Sequence, residues 1–181
     1  MANCVKPYYC YTLEGYPTGS DCDTQDEYLS GWSAVGLLAC GTTVTDPSDG
    51  EELQGLIDAG SLIIVNNIKG GLDEPSALTI DPTTSCGVTK TINYDRTFTW
   101  EDYKTSKEVV EWYNEMKANN YGGALLYGCD GTVTYINQEL RLTAALSGEN
   151  NNSVAKRISA QLAWRDINDP VPYDAPAGIF G

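Results

Sequence analysis

The segment from residue 87 to residue 100 constrains the fold more than any other. Val88, Ile92, Tyr94, Phe98 and Trp100 occupy even positions, and Thr89, Thr91, Asn93, Thr97 and Thr99 occupy odd ones. A period of two makes this a strand with one face on a core and a threonine face toward water or a neighbour. Lys90 and Arg96 are the even-position exceptions. A half-buried strand needs antiparallel partners, and the rest of the chain supplies candidates.

Leu62, Ile63, Ile64 and Val65 run without alternation, as expected of a strand covered on both faces. Leu140, Leu142, Ala144 and Leu146 alternate, and so do Val154, Ile158, Ala160, Leu162 and Trp164. Ser33–Cys40, with Val35, Leu37 and Leu38, reads as a buried piece. Ala124–Tyr127 and Val133–Ile136 flank Asp130-Gly131, which predicts a hairpin closed by a type I′ turn. Gly70-Gly71 and Gly122-Gly123 read as turn glycines.

Two helices are expected. Ser48 with Glu51 forms a capping box ahead of Leu53, Leu56 and Ile57, and Gly60 stops that helix. Thr105 with Glu108 precedes the stripe Val109, Trp112, Tyr113 and Met116, with Lys104–Glu108 and Lys107–Glu111 as charge pairs on the wet side. The sum is α+β: an antiparallel β-sheet or sandwich flanked by one well-formed helix and one short helix. The expected division is a Tyr/Cys-rich arm or loop region over 1–45, an assembly domain over 46–165, and an extended tail over 166–181. Pro170, Pro172 and Pro176 argue against regular structure in that tail. The polar connection 147–153 reads as a loop.

Composition excludes several functions. The net charge is −14, from 11 basic and 25 acidic residues, so no basic footprint for gripping nucleic acid is present. Residues 1–90 hold 3 bases and 13 acids, and residues 91–181 hold 8 and 12. There is no histidine, which removes the commonest general base. No P-loop or dinucleotide fingerprint occurs. The six cysteines, Cys4, Cys10, Cys22, Cys40, Cys86 and Cys129, form no C-x-x-C pair, so they read as free thiols, with disulfides within 4–40 as the alternative. The acidic run 21–27 lacks the glycine and the terminal glutamate of a calcium loop. No catalytic residue, cofactor or metal is therefore expected. The opening residues carry no apolar run and no stretch is long enough to span a membrane, so a soluble product of cytoplasmic synthesis is expected.

Aromatic residues supply the candidate contacts. Tyr8, Tyr9, Tyr11, Tyr16 and Trp32 crowd the N-terminal region, and aromatic side chains favour interface cores. Trp100, Trp112 and Trp164 fall on faces assigned to the core. Ile179 and Phe180 end the tail, suited to docking on another subunit or on their own domain.

Residues 60–165 resemble phage tail-tube and related tail-ring proteins. The resemblance is carried by Thr97-Phe98-Thr99-Trp100 leading into the helix at 105–118, by Gly122–Tyr127 with the Asp130-Gly131 hairpin, and by Val154–Trp164. It implies a virion structural protein made in a host cytoplasm, closing into rings or a tube through sheet edges. Its partners would be copies of itself and other virion proteins, and DNA would pass without specific binding. Other assembly roles (capsid decoration, neck or filament subunit) and a monomeric glycan- or peptide-binding module are the alternatives.

Overall fold

The computed structural model describes residues 31–80, 90–148 and 156–180. The elements in chain order are β1 (Trp32–Leu38), α1 (Gly50–Asp58), β2 (Leu62–Leu72), β3 (Ser76–Ile80), β4 (Lys90–Asp102), α2 (Lys107–Met116), β5 (Asn120–Tyr121), β6 (Gly123–Gly128), β7 (Thr132–Ile136), β8 (Leu140–Ser147), β9 (Arg157–Arg165) and β10 (Pro172–Asp174). The strands form one ten-stranded sheet in the order β10-β7-β6-β1-β2-β4-β9-β8-β5, with β3 also on β4. Every pairing is antiparallel. The expected α+β class and antiparallel sheet are present.

The two ends of this order meet. β5 and β6 are separated by Gly122 alone, yet β5 pairs with β8 and β6 pairs with β1. One bent segment, 120–128, therefore joins the far strand β8 to the central strand β1 and closes the wall β6-β1-β2-β4-β9-β8 on itself. The bend needs glycine. A Cβ on Gly122 would lie 2.7 Å from Ala39 O, and one on Gly123 would lie 2.6 Å from Ile136 O. These glycines, expected in turns, are sites of close backbone approach. Gly70 likewise sits inside β2, where a Cβ would lie 2.5 Å from Phe98 Cζ.

The inward residues of all six wall strands form the first core with α2. It holds Val35, Leu37, Val65, Phe98, Trp100, Leu126, Leu142, Ile158, Leu162 and Trp164, with Val109, Trp112, Tyr113 and Met116 from the helix. The expected apolar stripe of α2 is thus buried, as are the three tryptophans assigned to packing. A second, smaller core lies outside the wall over β6-β1-β2, where Ala34, Leu38, Leu62, Leu125 and Val133 meet Leu53 of α1 and Phe180 of the tail. This double coverage is why 62–65 carry no alternation.

Local chemistry differs from expectation in several places. The N-cap of α1 is Asp49, which accepts from Glu51 N at 2.9 Å, not Ser48, whose hydroxyl donates to Asp46 instead. Glu52 reaches back to the amides of Thr45 and Asp46. Those bonds, the Thr45 one foremost, hold its carboxyl below the usual range. At the other end Gly60 (φ 68°) donates to Ile57 O and Ser61 N donates to Leu56 O, the paired bonds of a Schellman stop. The N-cap of α2 is Ser106, one residue past Thr105. Lys104 therefore lies outside the helix and donates to Asn66 O and Oδ1, and Lys107–Glu111 pair as expected.

The β6–β7 turn is not type I′. Gly131 has φ 79°, but Asn67 is the one non-glycine with positive φ among the described residues, so Asp130 lacks the left-handed conformation type I′ requires. Gly131 N donates to Gly128 O, making a type I-like turn followed by a left-handed glycine. Ile92, expected on the core face, is 40% exposed, and Leu146 is 54% exposed, because both strands run past the end of the first core.

Candidate assembly surfaces

Four features of the described residues bear on function: a projecting ribbon, a bare wall, the C-terminal segment and the buried polar groups. The ribbon comes first. β9 covers β4 from Asp95 to Asp102, Asp166 N donates to Tyr94 O just beyond it, and before Tyr94 the β4 residues have no strand partner but β3 among the described residues. β3 has no partner on its other side among the described residues. β3 and the start of β4, up to Asn93, thus form a two-stranded ribbon that leaves the wall with no further strand on either edge among the described residues and with Ile92 exposed. Such a ribbon is marginal by itself and offers free N–H and C=O groups to another chain.

The bare wall is the outer face of β4-β9-β8 with the end of β2. Alternation puts Thr97, Thr99 and Glu101 of β4 outward, in register with Ala163, Gln161 and Ser159 of β9 and with Arg141, Thr143 and Ala145 of β8. Gly71 adjoins Thr99, and Lys69 adjoins Glu101. Gly71, Thr99, Thr143, Ala145 and Ser159 are small, and with Lys69, Glu101 and Gln161 they line a shallow depression of about 590 Å3. The threonine face foreseen between 87 and 100 is this surface. Its charges are Lys69, Arg141, Arg157 and Arg165 against Asp95 and Glu101, with Asp73, which accepts from Thr97 Oγ1 at 2.7 Å, and Glu139, beside Arg141, on the same face. Arg157 Nε lies 2.9 Å from Glu101 Oε1, and Arg165 pairs with Asp95.

The C-terminal segment is ordered against its own domain. Arg96, the charged exception on the inward face of β4, is 5% exposed, with Nη1 2.7 Å from Asp169 and Nε donating to Asp166 O. Its guanidinium also lies 5.6 Å from the Tyr94 ring centre. Beyond it, β10 pairs with β7, and Phe180, 2% exposed, stacks on Tyr127 at 5.0 Å with planes 6° apart. The segment from 166 is therefore not a tail without regular structure. Phe180 is committed to its own chain, and Ile179 is partly buried beside it. Pro172 can open β10 because an edge strand tolerates a missing donor.

The largest group of buried polar side chains is tied together within the fold, while Asn119 Oδ1 is buried without a hydrogen-bond partner. Trp100 Nε1 donates to Tyr113 OH at 3.0 Å, and Tyr113 OH donates to Asp102 Oδ2 at 3.1 Å. The other oxygen of Asp102 accepts from Lys104 N. Burial, with the Asp102 charge second, pushes the Tyr113 phenol far up, so it stays protonated. The chain Trp100–Tyr113–Asp102 fastens α2 to β4, and both Asp102 oxygens are engaged in doing so. Cys40 Sγ donates to Asn120 O, while Cys129 is exposed at the β6–β7 turn. Among the described residues no group of three or more potential metal ligands is brought together, and no helix is long and apolar enough to cross a membrane.

Of the residues picked out in the sequence as contact candidates, Tyr8, Tyr9, Tyr11 and Tyr16 lie outside the described residues, as do most of the loop at 147–153 and Val88 and Val154. Trp32 is partly buried against the first core, edge-on to Phe98 at 6.0 Å. It opens β1, which lies between β2 and β6, so an arm ending at residue 45 would include a central strand. The ribbon and the charges of the bare wall escaped the sequence reading. The odd-position threonines marked the wall's location, but its Lys and Arg come from strands whose pairing order the sequence does not display.

No protein-family model matches this chain, and no curated protein matches it.

Proposed function

We propose that the chain is a non-catalytic structural subunit of a virion, of the tail-tube or tail-ring type, which joins copies of itself into rings or a tube. The observation that carries the reading is the β3–β4 ribbon, a pair of strands that beyond Tyr94 has no further strand on either edge among the described residues. Strand edges left open in this way are completed by strands from a neighbour. The net charge of −14 is consistent with a wall along which DNA slides without being gripped, acting within about 8 Å of the surface at physiological salt. The N-terminal region would serve as an arm between rings, and the wall would pack sandwich-like against its neighbours.

Light scattering over a concentration series, with negative-stain images of the same samples, tests this reading. Rings, stacks or tubes are expected. Ile92→Asp places a charge on the exposed ribbon face and is expected to raise the concentration needed for assembly by about tenfold or more, equivalent to about 1.4 kcal/mol, with the thermal midpoint nearly unchanged. A wild-type monomer at every concentration overturns self-assembly and favours a partner-dependent decoration protein or a binding module.

A further inference from the structure

β2 pairs with β4 only from Lys69 to Leu72, and among the described residues its earlier part, 62–68, has no strand on that side. Lys104, in the connection from β4 to α2, reaches Asn66 within this stretch. Its Nζ donates to Asn66 O at 3.0 Å and to Asn66 Oδ1 at 3.1 Å, in a half-buried setting. The lysine main chain is fixed as well. Lys104 N donates to Asp102 Oδ1 at 2.9 Å, and Asp102 is fully buried with its other oxygen on Tyr113 OH. Amine and amide are thus held together from both the main chain and the side chain.

The backbone beside Asn66 is distorted. β1 pairs Ala34 with Asn66 and Trp32 with Gly70, so residues 67–69 stand opposite Ser33 alone. Asn67 has φ 56°, in the left-handed region, the one non-glycine there among the described residues. Bulges of this kind re-aim side chains and recur beside reactive sites. Here the Asn66 amide, at the edge of the bulge, lies against the lysine amine. The last torsion of an asparagine side chain is broad and two-fold, so the amide can turn its face toward the nitrogen. The bond from Nζ to the main-chain oxygen keeps the amine in place while it does. An amine held against an amide carbonyl in this way reacts as an intramolecular pair, with the high effective concentration that such placement gives.

We propose that Lys104 and Asn66 become joined by an isopeptide bond, a cross-link that the chain forms on itself. Nζ attacks Cγ of Asn66; the Nζ–Cγ bond forms and the Cγ–Nδ2 bond breaks. Two protons of the lysine ammonium leave on Nδ2, so ammonium is released, nothing is oxidised or reduced, and the chain loses one positive charge. The link closes the segment from Asn66 to Lys104 into a covalent ring. That segment contains the projecting β3–β4 ribbon, and the link lies at its base, where β2 and β4 share only four residue pairs. The inference does not depend on the self-assembly reading.

Mass spectrometry of the full chain tests it. The protein is expected to weigh less than its sequence by one ammonia, either as purified or after incubation at pH 9, and conversion is expected to be faster at pH 9 than at pH 7 because only the neutral amine attacks. A tryptic digest is expected to show the peptides holding Asn66 and Lys104 joined, with no cleavage after Lys104. Lys104→Arg keeps a cationic donor for both oxygens but has no amine to react, so it is expected to fold and to retain its full mass. Asn66→Ala is expected to retain its full mass too. A folded wild type that holds its full mass at both pH values overturns the inference. So does an ammonia loss that persists in Lys104→Arg, which would place it at another amide. Neither result bears on the oligomeric state, which light scattering reads separately.

Discussion

Tyr113 shows how much one hydroxyl can organise. It accepts from Trp100 on β4 and donates to Asp102, so α2 and the strand before it share a buried polar contact. Tyr113→Phe removes the acceptor of the buried Trp100 indole N–H and one donor to Asp102, at a cost of about 1–3 kcal/mol, readable by denaturant titration. The same residue sets an alkaline limit. Burial raises its pKa, and burial raises that of Tyr121 too. Above pH 10 the unfolded chain releases protons the folded chain keeps, so stability is fully present below pH 10 and falls as pH rises beyond it. Melting midpoints measured from pH 8 to pH 11.5 are expected to fall more steeply for the wild type than for Tyr113→Phe. Equal slopes would remove Tyr113 from the account. That Tyr113 is buried was legible from its place on the helical stripe. Its partner Asp102 was not, because nothing in the local pattern distinguishes a buried carboxylate from the solvated ones around it.

Elements were more legible than their boundaries. Periodicity found both helices and the strands β4, β8 and β9, since burial on one face imposes a spacing that survives any choice of neighbour. The caps were each misplaced by one residue, because Ser48 and Asp49, or Thr105 and Ser106, are equally able acceptors and only the backbone path decides between them. Asp49→Ala is expected to destabilise the protein by about 1 kcal/mol, and Ser48→Ala by much less. Equal losses in chemical denaturation would restore Ser48 as the cap. The β6–β7 turn was read from Asp130-Gly131, a dipeptide shared by several turn types. β10 was hidden among prolines, which mark an edge strand as readily as its absence.

At the scale of the whole molecule the pairing order was not readable at all. Alternation says which face of β4 is inward but not that β9, about sixty residues later, lies against it. The closure through Gly122 and the second core depend on such distant contacts. The tail is the clearest case: 166–180 completes the α1 side of the fold and is not a detachable appendage. Phe180→Ala is expected to cost about 3 kcal/mol in thermal or denaturant unfolding, the usual loss for emptying a buried aromatic site. A loss within a few tenths of a kcal/mol would mean that the tail does not support the core. Removing residues 167–181 would accordingly perturb the fold itself, so the proposed self-assembly is better probed by surface substitutions than by that truncation.

The junction between β5 and β8 consists of two residue pairs, whereas β4 and β9 share eight and β8 and β9 share seven. Under mechanical tension around the barrel, resistance at each junction scales with the bonds that must break together. The two-pair junction is thus the weak joint of the circumference. Stretched from outside, the barrel would part there first, and α2, three residues from β5, would swing with the freed lip while the remaining strands held as one sheet. A barrel of this kind has a built-in place to give way under strain without coming apart.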